Sequence, residues 1–421
     1  MSRLKSLMVS LEDNEENKVE EQEPITGEVV AEGAEVAQAA AEGSMVNDAA
    51  DEATEDLGDL EKIQDVVEDT VADNGPGMDP TTAKMADIAV EAIRERLGLR
   101  SQAGRVSMES YGDKNRRAAA TRIALEGIGD SIKKGFGKVM EVIKALIKRV
   151  VEFFKKIFSF NRNMLKVIEK LRANAEKIQS ENLEFEKEPI EGLKLPAAFE
   201  NANAFANLDV HMALTKAVGK LNSTMKTLPM SLDSSLMSGT ILNKSEEKVK
   251  EILDRSISVY FKPLTEVFTQ TSGGKSVSKP LYDGTVITAT ADETGWLFPK
   301  IDFSSAGEEK IADSLKVLPV GTQLNWLTKL KNLIEETNNI SESDKDVQKF
   351  GEGMAKGGER FMKASGTEDD KMSGELIKFY RSSVQMFASL NLQLVAKNVA
   401  FTKGMCQYIQ ESQKHFKKAE A

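Results

Sequence analysis

Four tripeptides in the first third of the chain share one form: a small residue, a bulky apolar residue, then glutamate. They are Ser10-Leu11-Glu12, Ala89-Val90-Glu91, Ser107-Met108-Glu109 and Ala124-Leu125-Glu126. Val or Ile precedes each of them (Val9, Ile88, Val106 and Ile123), and Ala40-Ala41-Glu42 is a looser fifth. The chemistry that suits this pattern is hydrolysis of the bond after the glutamate, with the chain as substrate. A carboxylate before the scissile bond gives a charged anchor, and a small side chain two positions earlier fits a narrow subsite. Proteases take extended backbone, so such sites work best where the chain is loose. For 88–91 and 123–126 the competing reading is turns of amphipathic helix. After position 126 the form recurs at Ala198-Phe199-Glu200, where Ala197 replaces the Val or Ile.

Material for catalysis is scarce. Cys406 is the single cysteine, which excludes an internal disulfide and a multi-cysteine metal cluster. His211 and His415 are the two histidines, too few for a histidine-based zinc site. No GxxxxGK[ST], HExxH or GxSxG motif is present. The glycine-rich stretch Lys349 to Gly358 falls inside a helical pattern and reads as close helix packing rather than a phosphate loop. Asp344 with Asp346 and Asp369 with Asp370 read as helix caps, Cys406 as a small core residue, and Trp296 and Trp326 as packing anchors. No catalytic residue, cofactor or metal is therefore expected. No apolar run reaches 18 residues, and the first residues carry no secretory signal pattern.

The elements that must position the motifs divide by charge. The 421 residues carry a net charge of −11. Residues 1–126 hold 29 acidic and 13 basic residues, a net of −16, which leaves +5 on the rest. Few aromatics and many Ala, Gly and acidic residues give the leader little to bury, so about 1–80 reads as disordered. Residues 81–98 read as a helix with Met85, Ile88, Ala89, Ala92, Ile93 and Leu97 near one face.

Just past Glu126 the texture reverses. On a helix over 132–157, Ile132, Phe136, Val139, Met140, Ile143, Leu146, Ile147, Val150, Phe153, Phe154 and Ile157 share one arc. Lys133, Lys134, Lys138, Lys144, Lys148, Arg149, Lys155 and Lys156 share the other, and 131–157 carries +6. Such a helix either docks on its own domain or lies on a membrane or partner. Its basic arc also suits sequence-independent contact with DNA. The opposite charges across Glu126 suggest that the leader shields this helix until it is removed.

The remainder reads as helices at 163–181, 207–228, 245–270, 306–317, 322–338, 343–366 and 369–416, the last either one helix of about 45 residues or two with a break near Ser389. Between them, 271–304 reads as a β insert with strands near 276–283, 285–291 and 295–303 and a turn at Asp283-Gly284. The expected fold class is mainly α: a helical body with a small antiparallel β insert, preceded by a long disordered acidic leader. The expected division is a 1–126 leader, a 127–160 cationic helix, a 161–270 helical region, a 271–304 insert and a 305–421 C-terminal bundle.

An acidic leader with repeated small-x-Glu sites resembles the propeptides of internal head proteins of large tailed bacteriophages, which a prohead protease cuts after glutamate. The resemblance covers the leader and the Glu126–Gly127 junction, about a third of the chain. It implies a virion structural protein, not an enzyme, made in the host cytoplasm and packaged in the capsid interior. It implies cleavage after Glu12, Glu42, Glu91, Glu109 and Glu126, the last finally. Its expected partners are the prohead protease, capsid or other head proteins, and packaged DNA, with membrane contact after cleavage and exit with the DNA as further expectations. The alternatives are a membrane-active effector working through the 131–158 helix, and a non-phage scaffold or adaptor with an acidic tail.

Overall fold

The computed structural model describes residues 25, 27–99, 106–181, 183–185, 189–191, 193, 195–199, 202–237, 245–305, 311–341, 344–364 and 370–417. One long helix organises them. Helix α4 (Arg117–Ser180) has 64 residues, and its buried positions keep the helical period from Ile128 through Phe153 and Phe154 to Ile178. All eleven residues of the apolar arc are buried. The helix does not stop at 157 or restart at 163, because Phe160, Met164, Val167, Ile168 and Leu171 continue the stripe.

The leader corrects the composition reading. Residues 27–69 form a 43-residue helix, α1 (Gly27–Asp69), packed along α4. Its buried side is a stripe of small residues with a few larger ones: Val29, Gly33, Val36, Ala39, Ala40, Gly43, Ala50, Leu57, Leu60 and Val67. Small side chains bring the helix axes close, so little bulky apolar surface is needed. A Cβ on Gly43 would stand 2.5 Å from Leu392 Cδ1, so any side chain there would have to displace Leu392. Helix α2 (Pro80–Arg96) begins at the Asp79 cap, whose carboxylate accepts from the Thr81 and Thr82 N–H groups, with Pro80 at the first turn. It buries Ala83, Val90, Ile93 and Arg94, while Met85 and Ile88 face outward at 68% and 59% exposure. The apolar face expected there is rotated accordingly. Helix α3 (Met108–Gly112) is a five-residue turn before α4.

Beyond α4 the strands β1 (Glu184–Phe185) and β2 (Ile190–Glu191) lead to α5 (Ala202–Met225), α6 (Leu228–Met237) and α7 (Glu246–Thr265). Ser245 stands at the start of α7 without a side-chain cap bond, and Pro263 sits in its last turn. The insert is an antiparallel meander in the order β3 (Phe268–Gln270), β4 (Lys275–Ser278), β5 (Thr285–Thr290), β6 (Lys300–Ser305). Strand β4 ends at Ser278, short of the expected 283. Pro280 follows and cannot donate to a ladder. Gly284 takes φ +73 in the turn, and the Asp283 side chain accepts from the Thr285 N–H.

The helix expected at 306–317 is not found in its described part. Ile311 bridges Pro196, and β7 (Ser314–Leu315) pairs with β2, so cross-chain pairing outweighs local helix propensity. The C-terminal third comprises α8 (Val320–Ser341), α9 (Asp344–Ala364), α10 (Asp370–Ser389) and α11 (Val395–Lys414), then β8 (Phe416–Lys417), which pairs with β1. A π-helical segment, Leu390–Leu394, joins α10 to α11, which favours the second of the two readings of 369–416, a break near Ser389. Helices α1, α8, α9, α10 and α11 all pack on α4.

Candidate functional site

The outer side of α4 is a cationic ridge. The helix carries fifteen basic and six acidic residues, a net of +9. Burial of the apolar arc turns the basic positions outward. Lys133, Lys134, Lys144, Lys148, Arg149, Lys155 and Lys156 are exposed, and Lys138 is half-buried. Arg162, Lys166 and Lys170 extend the same face beyond 157, where the sequence pattern was expected to end it. Lys133 to Lys170 spans about 55 Å at 1.5 Å per residue. Some of these charges are answered locally: Lys138 by Glu141 (2.9 Å), Lys144 by Glu359 (2.5 Å) and Lys148 by Glu152 (3.9 Å). Among the described residues Lys133, Lys134, Lys155, Lys156, Arg162, Lys166 and Lys170 have no ion-pair partner.

Along one edge of the ridge α1 meets α4, α10 and β6 in a seam of polar and charged contacts laid over small residues. Helix α1 holds fourteen acidic residues and one lysine. Its Glu42 pairs with Arg149 (3.2 Å), Asp51 with Arg381 and Lys300, and Glu61 with Lys378 (2.6 Å). Glu32 accepts from Ser159 and Asn163, each at 3.0 Å. Burial works against the Lys378 ammonium, but Glu61 and Glu375 outweigh it and raise its pKa. For Arg381 burial wins and lowers the pKa, although Asp51 holds the charge. The leader therefore runs along the edge of the ridge at Arg149, Ser159 and Asn163, and its remaining charge pairs reach α10 and β6.

The structure brings three of the five glutamate motifs to one end of the molecule. Val90, Glu91, Val106, Met108, Ile123, Ala124 and Glu126 line one cleft of about 490 Å³ between α2, α3 and the start of α4. Their backbones differ. Glu91 lies within α2, half-buried and paired to Arg94 at 3.3 Å. Glu126 is exposed but is the tenth residue of α4, so the junction read as a domain boundary is continuous helix. Glu42 lies within α1, held by Arg149. Glu109 is exposed and is the second residue of the short α3, after two non-helical residues. Glu12 lies outside the described residues.

The residues whose types suggest catalysis are packed for structure. Buried His211 stacks on Phe401 at 4.8 Å, and its Nδ1 meets the Asn398 Oδ1 at 2.7 Å. Burial lowers its pKa to about 4. Asn398 also donates to Thr215, and Asn391 of the π segment exchanges hydrogen bonds with Asn222, so α5 is pinned to the C-terminal helices. Cys406 is buried and its thiol is pushed up to about 12. His415 caps the end of α11. Trp296 and Trp326 are buried. In α9, a Cβ on Gly358 would stand 2.6 Å from the Met140 sulfur of α4, and one on Gly351 would collide with Ile147. That glycine patch brings helices together. Among the described residues no group of three metal-binding side chains occurs, and no helix is long and apolar enough to cross a membrane.

Comparison with known families decides what the charged helical body belongs to. The sequence matches the family of phiKZ-like phage internal head proteins over residues 31–411. The chain is a member of that family. The internal head protein resides inside the phage capsid, in association with other head components. No curated protein and no solved structure matches it. The match begins within α1, so it takes in most of the acidic leader as well as the body.

Sequence reasoning missed two sets of residues in this internal head protein. Arg162, Lys166 and Lys170 were legible, because the period that places Lys155 also places them. Arg381, Lys378 and Lys300 were not, because their partners lie more than 240 positions away in α1.

Proposed function

We propose that this internal head protein is a structural component of the head interior that lies against packaged DNA through the α4 ridge. The observation that carries the reading is the 133–170 face: cationic, exposed and in large part without internal partners. A straight row of lysine and arginine suits the phosphate backbone, gives no base readout, and matches a role in which any DNA sequence must be accepted. The quadruple variant K155Q/K156Q/R162Q/K166Q tests it. DNA binding measured against salt should weaken, and the log–log slope should fall by roughly 3 to 4, near 0.9 for each phosphate that is no longer neutralised. An unchanged slope would remove the ridge from the DNA interface.

We propose in addition that the leader is removed by the prohead protease after the glutamate motifs. The support is their concentration at one end of the molecule together with family membership. Loss of α1 would uncover Arg149, Lys300, Lys378 and Arg381 with the apolar floor of the seam, a surface for neighbouring head proteins. The ridge gains one freed cation, Arg149, from that step, since the leader's other contacts along its edge are to the neutral Ser159 and Asn163. A bilayer-binding role has less to draw on, because the arc that would enter a membrane forms the core.

A further inference from the structure

Building on the maturation reading, we infer that Glu109–Ser110 is the first bond cut, and that this cut is what opens Glu126–Gly127. The step is a hydrolysis: water adds across the amide, leaving a carboxylate on Glu109 and a free amine on Ser110. A protease must draw several residues into an extended form, so the bond chosen is the one whose surroundings open most cheaply.

Four described candidates can be ranked on that basis. To extend the chain at Glu42, α1 must unwind in its middle, break the Arg149 pair and pull Gly43 from beneath Leu392. At Glu91, buried Val90, Ile93 and Arg94 must leave their contacts. At Glu126, the first turns of α4 must unwind where Ala120, Thr121, Ile128 and Ser131 are buried. The Thr121 hydroxyl oxygen there accepts from the Met78 N–H at 2.9 Å, and Gly77 lies so near the Arg117–Ala118 backbone that a Cβ would stand 2.6 Å away. At Glu109 a single five-residue turn must open, and Tyr111 is the one side chain in it that is buried. Val106 and Ser107 are already non-helical, and Met108 is 39% exposed.

The new end stays anchored after this cut. Tyr111 is buried, its hydroxyl donates to the Ala120 carbonyl at 3.3 Å, and its own carbonyl accepts from Arg117 at 2.6 Å. The body therefore survives the nick. What changes is the leader, which loses its tether and is held by non-covalent contacts alone, without the high effective concentration that the link gave. When it leaves, Met78, Val90 and Glu91 depart from the cleft that clamps Ile123, Ala124, Gly127 and Ile128. The start of α4 then keeps only the Tyr111 contacts of that packing, and a helix end so thinly held frays and presents Glu126.

A time course on the full chain tests the order, using glutamyl endopeptidase under native conditions with intact mass and terminal peptides as the readout. Both glutamates are exposed and Gln has similar helix propensity, so E109Q and E126Q should fold as the parent does. The parent should show Ser110 termini first and Gly127 termini later. E126Q should give Ser110 termini at the parent rate. E109Q should lose Ser110 termini and form Gly127 termini about tenfold or more slowly, since cleavage tracks the open population. Gly127 termini appearing at the parent rate in E109Q, or ahead of Ser110 in the parent, would overturn the inference. The maturation reading fails separately: an intact chain in mature heads would refute it whatever order the endopeptidase follows.

Discussion

Helices α1 and α4 lie side by side, are each longer than 40 residues, and are held by opposite means. Helix α4 carries Phe153, Phe154, Ile157 and Phe160 at 1% exposure or less and forms the core of the body. Helix α1 brings Ala and Gly with a few Val and Leu residues, and adds Glu42, Asp51 and Glu61 as charge links. Burying a large apolar side chain contributes roughly 1.5–3 kcal/mol, whereas the half-exposed Glu42–Arg149 pair contributes under ~1 kcal/mol. The difference teaches that a helix can be docked along its length with little bulky apolar surface of its own. Its apolar contacts are numerous and individually small, and its charge links add to them.

The sharpest way to break this comparison is truncation in the two helices. Phe153→Ala should cost about 3–5 kcal/mol, read as a drop in denaturation midpoint. Leu57→Ala on α1 should cost about 2–3 kcal/mol, at the low end for leucine because the seam can relax. Equal costs would mean that α1 is core, not cover.

Acid probes the body rather than the seam. His211 titrates at about 4 in the folded chain, below its ordinary 6.5. As pH falls below 6.5 the unfolded chain takes up a proton that the folded chain refuses, so stability drops until pH reaches about 4. The full effect is about 3 kcal/mol. His211→Gln should flatten that part of the stability–pH curve, measured by chemical denaturation between pH 7 and 4.

Asp51→Asn sharpens the charged half of the seam. It leaves the Arg381 guanidinium, 12% exposed, facing a neutral amide. We expect a loss of about 2–3 kcal/mol, the penalty of a largely buried unpaired charge. Native-state hydrogen exchange should place that loss in α1 more than in α4. The smallest stability effect belongs to the ridge: Lys166→Gln should stay within about 0.5 kcal/mol while lowering DNA affinity.

How far the sequence showed all this follows the same division. The apolar arc from Ile132 to Ile157 was legible residue by residue, because bulky side chains at helical spacing leave few alternatives. The ridge was legible for the same reason up to Lys156. The meander was legible through Asp283-Gly284 and the β-branched run Thr285 to Thr290, with its first strand, Phe268–Gln270, missed against the end of a helix. Helix α1 was hidden. Its buried stripe at Gly33, Ala39, Ala40, Gly43 and Ala50 has the composition of a disordered segment, and only the partner surface on α4 and the C-terminal helices makes it a packing face. The expected helix at 306–317 failed likewise, since β7 exists through its pairing with β2. The glutamate motifs were visible as a pattern, but their gathering around one cleft, and the helical lock on three of them, belongs to tertiary structure.

The most direct test is the N-terminus of the protein taken from mature heads, measured by intact mass and terminal peptides. Removal of the leader predicts a chain beginning at Gly127, with chains beginning at Ser110 in immature heads. A chain still beginning at Met1 or Ser2 in mature heads would contradict it and make α1 a permanent part of the body.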